Sequence, residues 1–155
     1  MPAVERQVNK PMVRIEEVKA EDTYSIRKSM LRKGMTLSHK MNGDQEMDTL
    51  HLGLFDSNEL VCIGSFMKTS NNEFIGLQYQ LRGMATIDAY QGRGFGKMLL
   101  DRGEQILKNK HVNLIWCNAR LVAINFYKKL GYQTNGNVFE VKEVGPHYVM
   151  FKELK

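Results

Sequence analysis

The sequence predicts one α/β domain built on a mixed β-sheet, and three observations support this fold class. Strand-type apolar runs and helical patterns follow one another in the order β-α-β-β-β-α-β-α-β-β. A glycine-rich turn at residues 88–100 joins a strand to a helix. The 155 residues have the length of one domain, and they contain no internal repeat or interdomain linker.

The periodicity of apolar residues places the individual elements. Alternation or short all-apolar runs predict strands at residues 12–18, 51–55, 60–66, 76–87, 112–117, 138–141 and 148–151. Apolar spacing of three and four predicts helices at residues 23–32, 95–109 and 121–130. Residues 1–10, ahead of the first strand, are predicted to be a flexible leader within the single domain of residues 1–155.

Turn and cap residues set the expected boundaries in the first half of the chain. Asp22 is predicted to cap the first helix, and Gly34 to end it. Residues 35–47 are polar, which predicts a mobile loop rather than a core element. The turn at residues 56–58 closes a hairpin. Gly83, inside a strand pattern, indicates a β-bulge.

Similar signals apply to the second half. Gly103 lies inside the second helix, where it either weakens the helix slightly or allows close packing. Gly131 follows the third helix at its C-terminus. Residues 134–137 are predicted to form a turn, and Gly145 and Pro146 a second turn between the last two strands.

Composition narrows the protein class. The chain is 43% hydrophobic and 25% charged and has no apolar run long enough for a membrane helix. No secretory signal begins it, so a cytoplasmic protein without membrane contact is expected. Cys62 and Cys117 lie in apolar runs and are predicted to be buried free thiols. No ligand spacing typical of zinc occurs, so no metal is predicted.

The net charge of +5 permits nucleic-acid binding but does not favour it. The basic residues do not form one stripe with interleaved aromatic residues. A local patch on the first predicted helix comprises Arg27, Lys28, Arg32 and Lys33, for which a solvated helix face is the simplest interpretation. We expect no nucleic-acid partner, although a basic rim also suits a ligand with several phosphates.

The glycine-rich stretch predicts an anion site. Gly92, Gly94 and Gly96 allow positive φ and close approach of a ligand, and the following helix N-terminus favours negative charge. The dinucleotide fingerprint does not fit, because the third glycine comes one residue early. The mononucleotide loop does not fit either, because Met98 follows Lys97 where a hydroxyl residue is needed.

The pattern Gln91-x-x-Gly94-x-Gly96 resembles the Gln/Arg-x-x-Gly-x-Gly/Ala signature of GNAT-type N-acetyltransferases, which holds the pyrophosphate of acetyl-coenzyme A. Residues 81–86 resemble that family's fourth strand, and residues 123–132 resemble its last helix and the strand after it. The amino-acid sequences of these segments are similar to those of small uncharacterised bacterial members of the family. The resemblance implies the GNAT fold, a mostly antiparallel sheet of about seven strands that splays between strands 4 and 5.

The resemblance also implies a function and a set of site residues. The expected function is transfer of an acetyl group from acetyl-coenzyme A to a primary amine, by direct attack in a ternary complex. Coenzyme A is expected to contact Met84, Ala85, Thr86, Gln91, Gly92, Arg93, Gly94, Phe95, Gly96, Lys97, Arg120 and Tyr127. A backbone N–H of Met84 or Ala85 would stabilise the oxyanion.

Tyr127 matches the family's general acid, which protonates the leaving thiolate. The general base is open: His147 is the first candidate, followed by His51 and Asp48. Arg120 replaces the asparagine common in the family and is free to contact a phosphate or the carboxylate of an acceptor.

Ile115 stands where some protein N-terminal acetylases carry a glutamate, which argues against that subgroup. The acceptor stays open among amino acids, polyamines, aminoglycosides and proteins, since its pocket is expected in the loops at residues 33–50 and 68–76. A homodimer through exposed strand edges is a reasonable expectation. The alternative function is that of a non-catalytic acyl-coenzyme A sensor.

Overall fold

The computed structural model describes residues 12–155, so the predicted leader lies outside the described residues. Seven strands are present: β1 (Val13–Glu17), β2 (Leu50–Asp56), β3 (Glu59–Met67), β4 (Gln78–Thr86), β5 (Leu114–Arg120), β6 (Gln133–Val141) and β7 (Gly145–Glu153). Three α-helices accompany them: α1 (Ala20–Ile26), α2 (Phe95–Asn109) and α3 (Ile124–Lys129). Among the described residues, no helix is both long and apolar enough to cross a bilayer.

The strands form one sheet in the order β1-β2-β3-β4-β5-β7-β6. All neighbours pair antiparallel except β4 and β5, which are parallel and are joined by the crossover through α2. The predicted order of elements and the mixed sheet are confirmed. Ser57 and Asn58 both have positive φ, as a two-residue hairpin turn requires, and join β2 to β3.

Helix α2 packs very closely on the sheet because two glycines remove side chains from the interface. Leu99 and Leu107 of α2 are fully buried. A Cβ on Gly103 would overlap the ring of Phe66 in β3, and one on Gly64 would lie 2.8 Å from Leu99. Both positions therefore need glycine at native packing density. Close packing is thus the role of Gly103.

The first helix differs from its prediction at both ends. It begins at Ala20 rather than at residue 23, and its backbone continues as a π-helical turn over Arg27–Leu31. Asp22 is the third helical residue instead of the cap. Its carboxylate accepts a hydrogen bond from the N–H of Lys19 at 2.9 Å, which satisfies an N-terminal donor from inside the helix.

The last two strands are longer than predicted, and both predicted turns were wrong. Residues 134–137 lie within β6, where Asn135 pairs with Val149 and Phe139 pairs with His147. Three residues of β6, 136–138, therefore lie opposite one residue of β7, Tyr148, and this bulge accommodates the positive φ of Gly136. The chain reverses between Val141 and Gly145 instead, so Gly145 and Pro146 begin β7.

Two further elements have shifted boundaries. Strand β5 extends three residues beyond the predicted Cys117, to Arg120. The predicted third helix begins as a single 3-10 turn over Leu121–Ala123 and becomes α-helical from Ile124. The first shift lengthens the end of β5, which lies beside the site described next.

Candidate active site

The glycine turn between β4 and α2 is exposed and is held to the end of β4 by one side chain. Gly92 and Gly94 have φ of +78° and +79°, and a Cβ on either would meet no atom within 4 Å. Glycine is needed here for its backbone conformation, because the space beside it is open. The amide Nε2 of Gln91 donates hydrogen bonds to Thr86 O at 2.9 Å and to Asp88 Oδ1 at 3.3 Å.

The N-terminus of α2 presents free backbone donors. The first hydrogen bond within the helix runs from the N–H of Met98 to Gly94 O at 3.1 Å, and no side chain caps this end. The N–H groups of residues 95–97 therefore have no partner within the helix, and the dipole of its 15 residues adds partial positive charge. Open space, positive φ and free donors together fit a phosphate group.

Two exposed cations flank this turn, and both already have partners. Lys97 forms an ion pair with Asp101 one helical turn later, with 2.8 Å between Nζ and Oδ2. The guanidinium of Arg93 lies 4.9 Å from the ring centre of Tyr90, and its Nη1 lies 3.8 Å from Asp56 Oδ2. They add positive potential at the mouth of the turn without closing it.

A cleft opens between β4 and β5. The two strands pair only from Gln78–Leu114 to Gln80–Trp116, and they separate beyond this point. The rest of β4 keeps its antiparallel partner β3 on one edge and has no β5 partner on the other. The predicted splay is confirmed. The free edge of β4 offers N–H and C=O groups along one wall of the cleft.

Beside the cleft, β4 carries the predicted bulge. Ile63 pairs with Ala85 and Ser65 pairs with Arg82, so β4 has one residue more than β3 in this interval. Gly83 has φ of +61°, and a Cβ there would lie 3.0 Å from Nε of Arg27. The bulge of β4 therefore rests directly on a buried guanidinium.

Arg27 is the centre of a buried polar network. Its side chain is 0% exposed and donates two hydrogen bonds to Asp44, at 2.8 and 2.9 Å, and one to Ser65 Oγ at 2.9 Å. The Ser65 hydroxyl in turn contacts Nδ1 of His51 at 2.7 Å, and Nε2 of His51 contacts Asp44 O at 2.9 Å. Because a carbonyl only accepts, Nε2 carries the proton and Nδ1 accepts from serine.

Asp44 keeps its negative charge in this network. Burial by itself raises the pKa of Asp44, but hydrogen bonds from Arg27 and from the N–H of Met41, with the positive charge of Arg27, hold the pKa below its usual range. Only Nε of Arg27 is a buried side-chain polar atom without a partner among the described residues.

A cavity of about 350 Å³ lies at the inner end of the cleft. Its walls come from the π-helical turn after α1, the following loop, β4, β5, α3 and the β6–β7 hairpin. The lining residues are Leu31, Arg32, Leu37, Met41, Gln80, Leu81, Arg82, Gly83, Met84, Cys117, Asn118, Ala119, Arg120, Ala123, Tyr127, Val141, Val144 and His147. Met84, Arg120, Tyr127 and His147, all singled out from the sequence, thus share one cavity.

Tyr127 is the buried phenol of the cavity. It is 8% exposed, and its hydroxyl lies 3.9 Å from Sδ of Met84. Burial, followed by the neighbouring Cys117 and Cys62 thiols, raises the pKa of Tyr127 well above its usual value. The phenol is therefore protonated at every pH at which the protein is expected to work.

His147 lies within β7, opposite Arg120 of β5 and Phe139 of β6, rather than in the predicted turn. Its Nδ1 contacts Gly145 O at 2.8 Å. Since that carbonyl only accepts, Nδ1 carries a proton, and in the neutral imidazole the lone pair is on Nε2. His51 has both ring nitrogens occupied, and neither it nor Asp48 lines the cavity.

Arginines dominate the charge of the cavity. Arg32 donates to Ser38 O at 3.1 Å and to Leu31 O at 3.2 Å, and Arg120 donates to the same Leu31 O at 3.2 Å. Burial lowers the pKa of Arg82 and the positive charge of Arg27 lowers it further, while the negative charge of Asp44 raises it. Burial also lowers the pKa of Arg32, followed by the charges of Arg120, Arg82 and Arg27.

Two sequence predictions about this region were wrong. The basic patch on the first helix is not one solvated face: Lys28 and Lys33 are exposed, but Arg27 is fully buried and Arg32 lines the cavity. The loop of residues 35–47 contributes to the interior, since Met41 and Asp44 are buried. The periodicity of a helix predicts which residues share a face. It does not reveal that Arg27 has its ion-pair partner, Asp44, 17 positions away in a loop.

Arg82 is a cavity residue that sequence reasoning missed as a site residue, and the available signal was a charged side chain inside an apolar strand pattern. Cys62 and Cys117 are buried free thiols, as predicted. Burial raises the pKa of Cys117 to about 12, which leaves it uncharged in the cavity wall. Within residues 12–155, no group of three His, Cys, Asp or Glu side chains is arranged to hold a metal ion.

Comparison with known proteins places these features in a family. Residues 16–154 match the family model described as an acetyltransferase (GNAT) domain. The chain is 34% identical over 146 residues to the uncharacterized N-acetyltransferase YitI of Bacillus subtilis, a match that covers 93% of this chain and 98% of YitI.

Solved structures share the fold at low sequence identity. An acyl-CoA N-acyltransferase from Pseudomonas aeruginosa superposes with a TM-score of 0.75 at 16% identity, over 90% of this chain and 99% of that one. An aminoglycoside 6'-N-acetyltransferase complexed with coenzyme A gives a TM-score of 0.72 at 14% identity, over 92% and 97% of the two chains. These similarities concern the arrangement of the elements.

Proposed function

The chain belongs to the GNAT acetyltransferase family, and from that premise we propose that it transfers the acetyl group of acetyl-coenzyme A to a primary amine by direct attack within the cleft. One observation carries this proposal. Met84 connects the two parts of the site: it lines the cavity that contains the buried Tyr127, and a Cβ on Gly96, in the first turn of α2, would lie 3.3 Å from its Cε. A thioester that carries phosphate groups needs donors for the phosphates at one end and a proton donor for the leaving sulfur at the other.

Groups of this chain would hold coenzyme A by its pyrophosphate and by the amides of its pantetheine arm. The N–H groups of residues 92–97 bind the pyrophosphate, and the open conformation of Gly92 and Gly94 permits its close approach. The free edge of Met84, Ala85 and Thr86 pairs with the pantetheine amides as a neighbouring strand would. Arg93 and Lys97 add long-range attraction.

Bound acetyl-coenzyme A supplies the acetyl group as a thioester. In the reaction the amine nitrogen bonds to the acetyl carbon, the carbon–sulfur bond breaks, and sulfur leaves with the electron pair. The N–H of Met84 or Ala85, at the bulge of β4, donates to the developing oxyanion, and one such donor is typically worth about 3 kcal/mol. The rigid support of the bulge by Arg27 keeps this donor in place.

Tyr127 donates its proton to the departing sulfur. Burial disfavours a thiolate in the same way as it disfavours the phenolate, so a tyrosine whose pKa is raised remains a matched donor inside the cavity. Cys117 is an unsuitable nucleophile because burial raises its pKa to about 12. This supports direct attack over an acyl-enzyme intermediate.

His147 is the base of this proposal. Its Nδ1–H is fixed by Gly145 O, and Nε2 is then free to accept a proton from the amine, directly or through water. Arg120 lies opposite His147 in the register and would contact the acceptor. An acyl-coenzyme A sensor is the second candidate, because the same phosphate cradle would serve binding alone.

Thermal unfolding with and without millimolar acetyl-coenzyme A, with NADH and ATP as controls, tests the proposal. A ligand at about a hundred times its dissociation constant stabilises by about 2.7 kcal/mol, which raises the melting temperature by roughly 5–10 °C in a chain of this size. Gly94→Glu should abolish the rise, because the new carboxylate occupies the phosphate position. No rise with the wild-type chain would refute the proposal.

Turnover distinguishes the enzyme from the sensor. Release of free coenzyme A thiol is followed with a panel of primary amines, and the product is identified by its added acetyl mass. Binding without thiol release for any amine would favour the sensor. Thiol release that depends on an amine and falls strongly in Tyr127→Phe supports the enzyme.

A further inference from the structure

The cavity at the inner end of the cleft has a one-sided charge. Three of its lining residues are arginines, Arg32, Arg82 and Arg120, and the lining contains no Asp or Glu. Three like charges that line one small cavity repel one another, and a bound anion would relieve this repulsion. None of the residues of the glycine turn lines this cavity, so these arginines are separate from the proposed phosphate cradle.

No carboxylate among residues 12–155 forms an ion pair with any of these three arginines. The negative charge of Asp44 acts on Arg82, but both carboxylate oxygens of Asp44 are bonded to the terminal nitrogens of Arg27. The backbone oxygens of Leu31 and Ser38 orient Arg32 and Arg120, and a carbonyl oxygen fixes direction without cancelling charge.

We infer that the acceptor of the proposed reaction is a small amine that also carries a carboxylate, and that Arg82 with Arg32 or Arg120 binds this carboxylate. The inference rests on the proposed function. A guanidinium presents two parallel N–H donors that match a carboxylate, which makes arginine the residue suited to this task. An amino acid and the free carboxyl end of a short peptide share this chemistry.

The size and charge of the cavity argue against polyamines and aminoglycosides as acceptors. About 350 Å³ is near the lower limit for ligand pockets, and Met84 and Tyr127, where the thioester is expected, lie in the same volume. Polyamines and aminoglycosides carry several positive charges and would need acidic partners, which the lining lacks. A small acceptor of mixed charge fits both constraints.

The same arginines favour the reactive form of the amine. An amine attacks only when neutral, and neighbouring positive charge lowers the pKa of an ammonium group. The acceptor's carboxylate balances one of the three arginines, so a net positive surrounding remains. The proton lost by the nitrogen passes to Nε2 of His147 or to solvent, and the sulfur takes its proton from Tyr127.

Matched acceptor pairs test the inference. Straight-chain amino acids from glycine to 6-aminohexanoate are compared with the alkylamines that lack only the carboxylate, and with the corresponding carboxamides. The twenty amino acids and their dipeptides form further arms that distinguish a free amino acid from a peptide end. Thiol release gives kcat and KM for each.

We expect acids to be used at least about tenfold more efficiently than their carboxamides and alkylamines, since a charge-assisted bond to arginine is lost. In Arg82→Gln, KM for the acid should rise about tenfold, the preference for acid over amide should shrink, and KM for acetyl-coenzyme A should stay unchanged. Arg102→Gln, an exposed arginine of α2 that pairs with Gln105, is the matched control and should behave as wild type.

Three results would overturn the inference. The first is that alkylamines, polyamines or carboxamides are used as well as the acids, and the second is that no acid is acetylated or stabilises the complex with coenzyme A. The third is that Arg82→Gln leaves the acid preference intact while its melting temperature matches wild type. The thermal shift with acetyl-coenzyme A and thiol release with any amine decide the proposed function separately. A normal shift together with turnover of an amine that lacks a carboxylate retains the acetyltransferase and removes the carboxylate-bearing acceptor.

Discussion

The two ends of the cleft are built in different ways. The glycine end is one continuous segment, residues 91–97, and it offers backbone donors with open space beside them. The arginine end is assembled from separate parts of the chain. Arg32, Arg82 and Arg120 line the cavity with their charged side chains, and buried Arg27 packs against Gly83 of β4. Backbone oxygens orient Arg32 and Arg120. A backbone site depends on conformation, whereas a side-chain site depends on the fold around it.

This difference predicts that each end can be damaged without the other. Changes at the arginine end should act on stability and acceptor use, because its parts are buried and connected. Changes at the glycine end should act on coenzyme A binding, because the turn is exposed and supports little of the core.

Asp44→Ala should have the largest effect. It leaves Arg27 buried without its ion pair, and breaking such a pair typically destabilises a protein by about 3–5 kcal/mol. The free energy of unfolding is measured by urea titration, with Glu143→Ala as the control, because Glu143 is exposed and accepts its hydrogen bonds from the surface loop at Thr36 and Leu37. Equal stability of the two variants would contradict the role given to the buried network.

Tyr127→Phe should be the next largest. Loss of a general acid typically lowers kcat by about a hundredfold or more. Stability and coenzyme A affinity should change little, since the ring and its contacts with Phe126 and Tyr132 remain. The control is Tyr148→Phe, which removes a hydroxyl outside the cavity. If Tyr127→Phe retained wild-type kcat, another group or water would have to supply the proton.

Gly94→Ala should have a smaller effect, confined to the glycine end. A side chain at φ of +79° costs about 1–2 kcal/mol, although the space beside it is open. Gly136→Ala is a closely matched control, with φ of +80° and no neighbour within 4 Å, but it lies in β6. Both variants should lose similar stability, and only Gly94→Ala should weaken coenzyme A binding, by calorimetry. Equal affinities would argue against the cradle.

The smallest effect is a dependence of stability on pH through Asp44. Because its pKa is lower in the folded than in the unfolded chain, its stabilising contribution is complete above about pH 4, the unfolded value, and is lost as the pH falls through the folded pKa. Unfolding titrations from pH 6 to pH 3 should show a steeper decline for the wild type than for Asp44→Asn. Parallel curves would assign the acid sensitivity to other carboxylates.

The glycine end was readable from the sequence because its determinants are adjacent. Gly92, Gly94 and the helical period after them define turn, dipole and donors within a few residues. The element order and the splay of β4 from β5 were also predictable, the latter through resemblance to a family. The roles of Met84, Tyr127 and His147 stay predictions, although the fold brings these residues to one cavity.

The arginine end was not readable, because its partners are distant in sequence. Arg27 is bonded to Asp44, which lies in a loop that was predicted to be polar surface. Arg120 donates a hydrogen bond to Leu31 O at the end of the π-helical turn. The bulge of β6 was mistaken for a turn because Gly136 and Asn137 favour positive φ in either structure. The backbone preferences of these residues predict an irregularity in the chain. Whether it is a turn or a β-bulge is decided by the pairing with β7.

The contact between Gly103 of α2 and Phe66 of β3 also affects where the start of α2 lies. The ring of Phe66 fills the place of the missing side chain at Gly103, so the helix cannot slide along its axis without driving backbone into the ring. Nine residues separate this contact from Gly94, about 13 Å at the rise of an α-helix. The packing of Phe66 against Gly103 in the core thus fixes the start of α2, where we propose that a phosphate binds, and a change of this packing would displace that end of the helix.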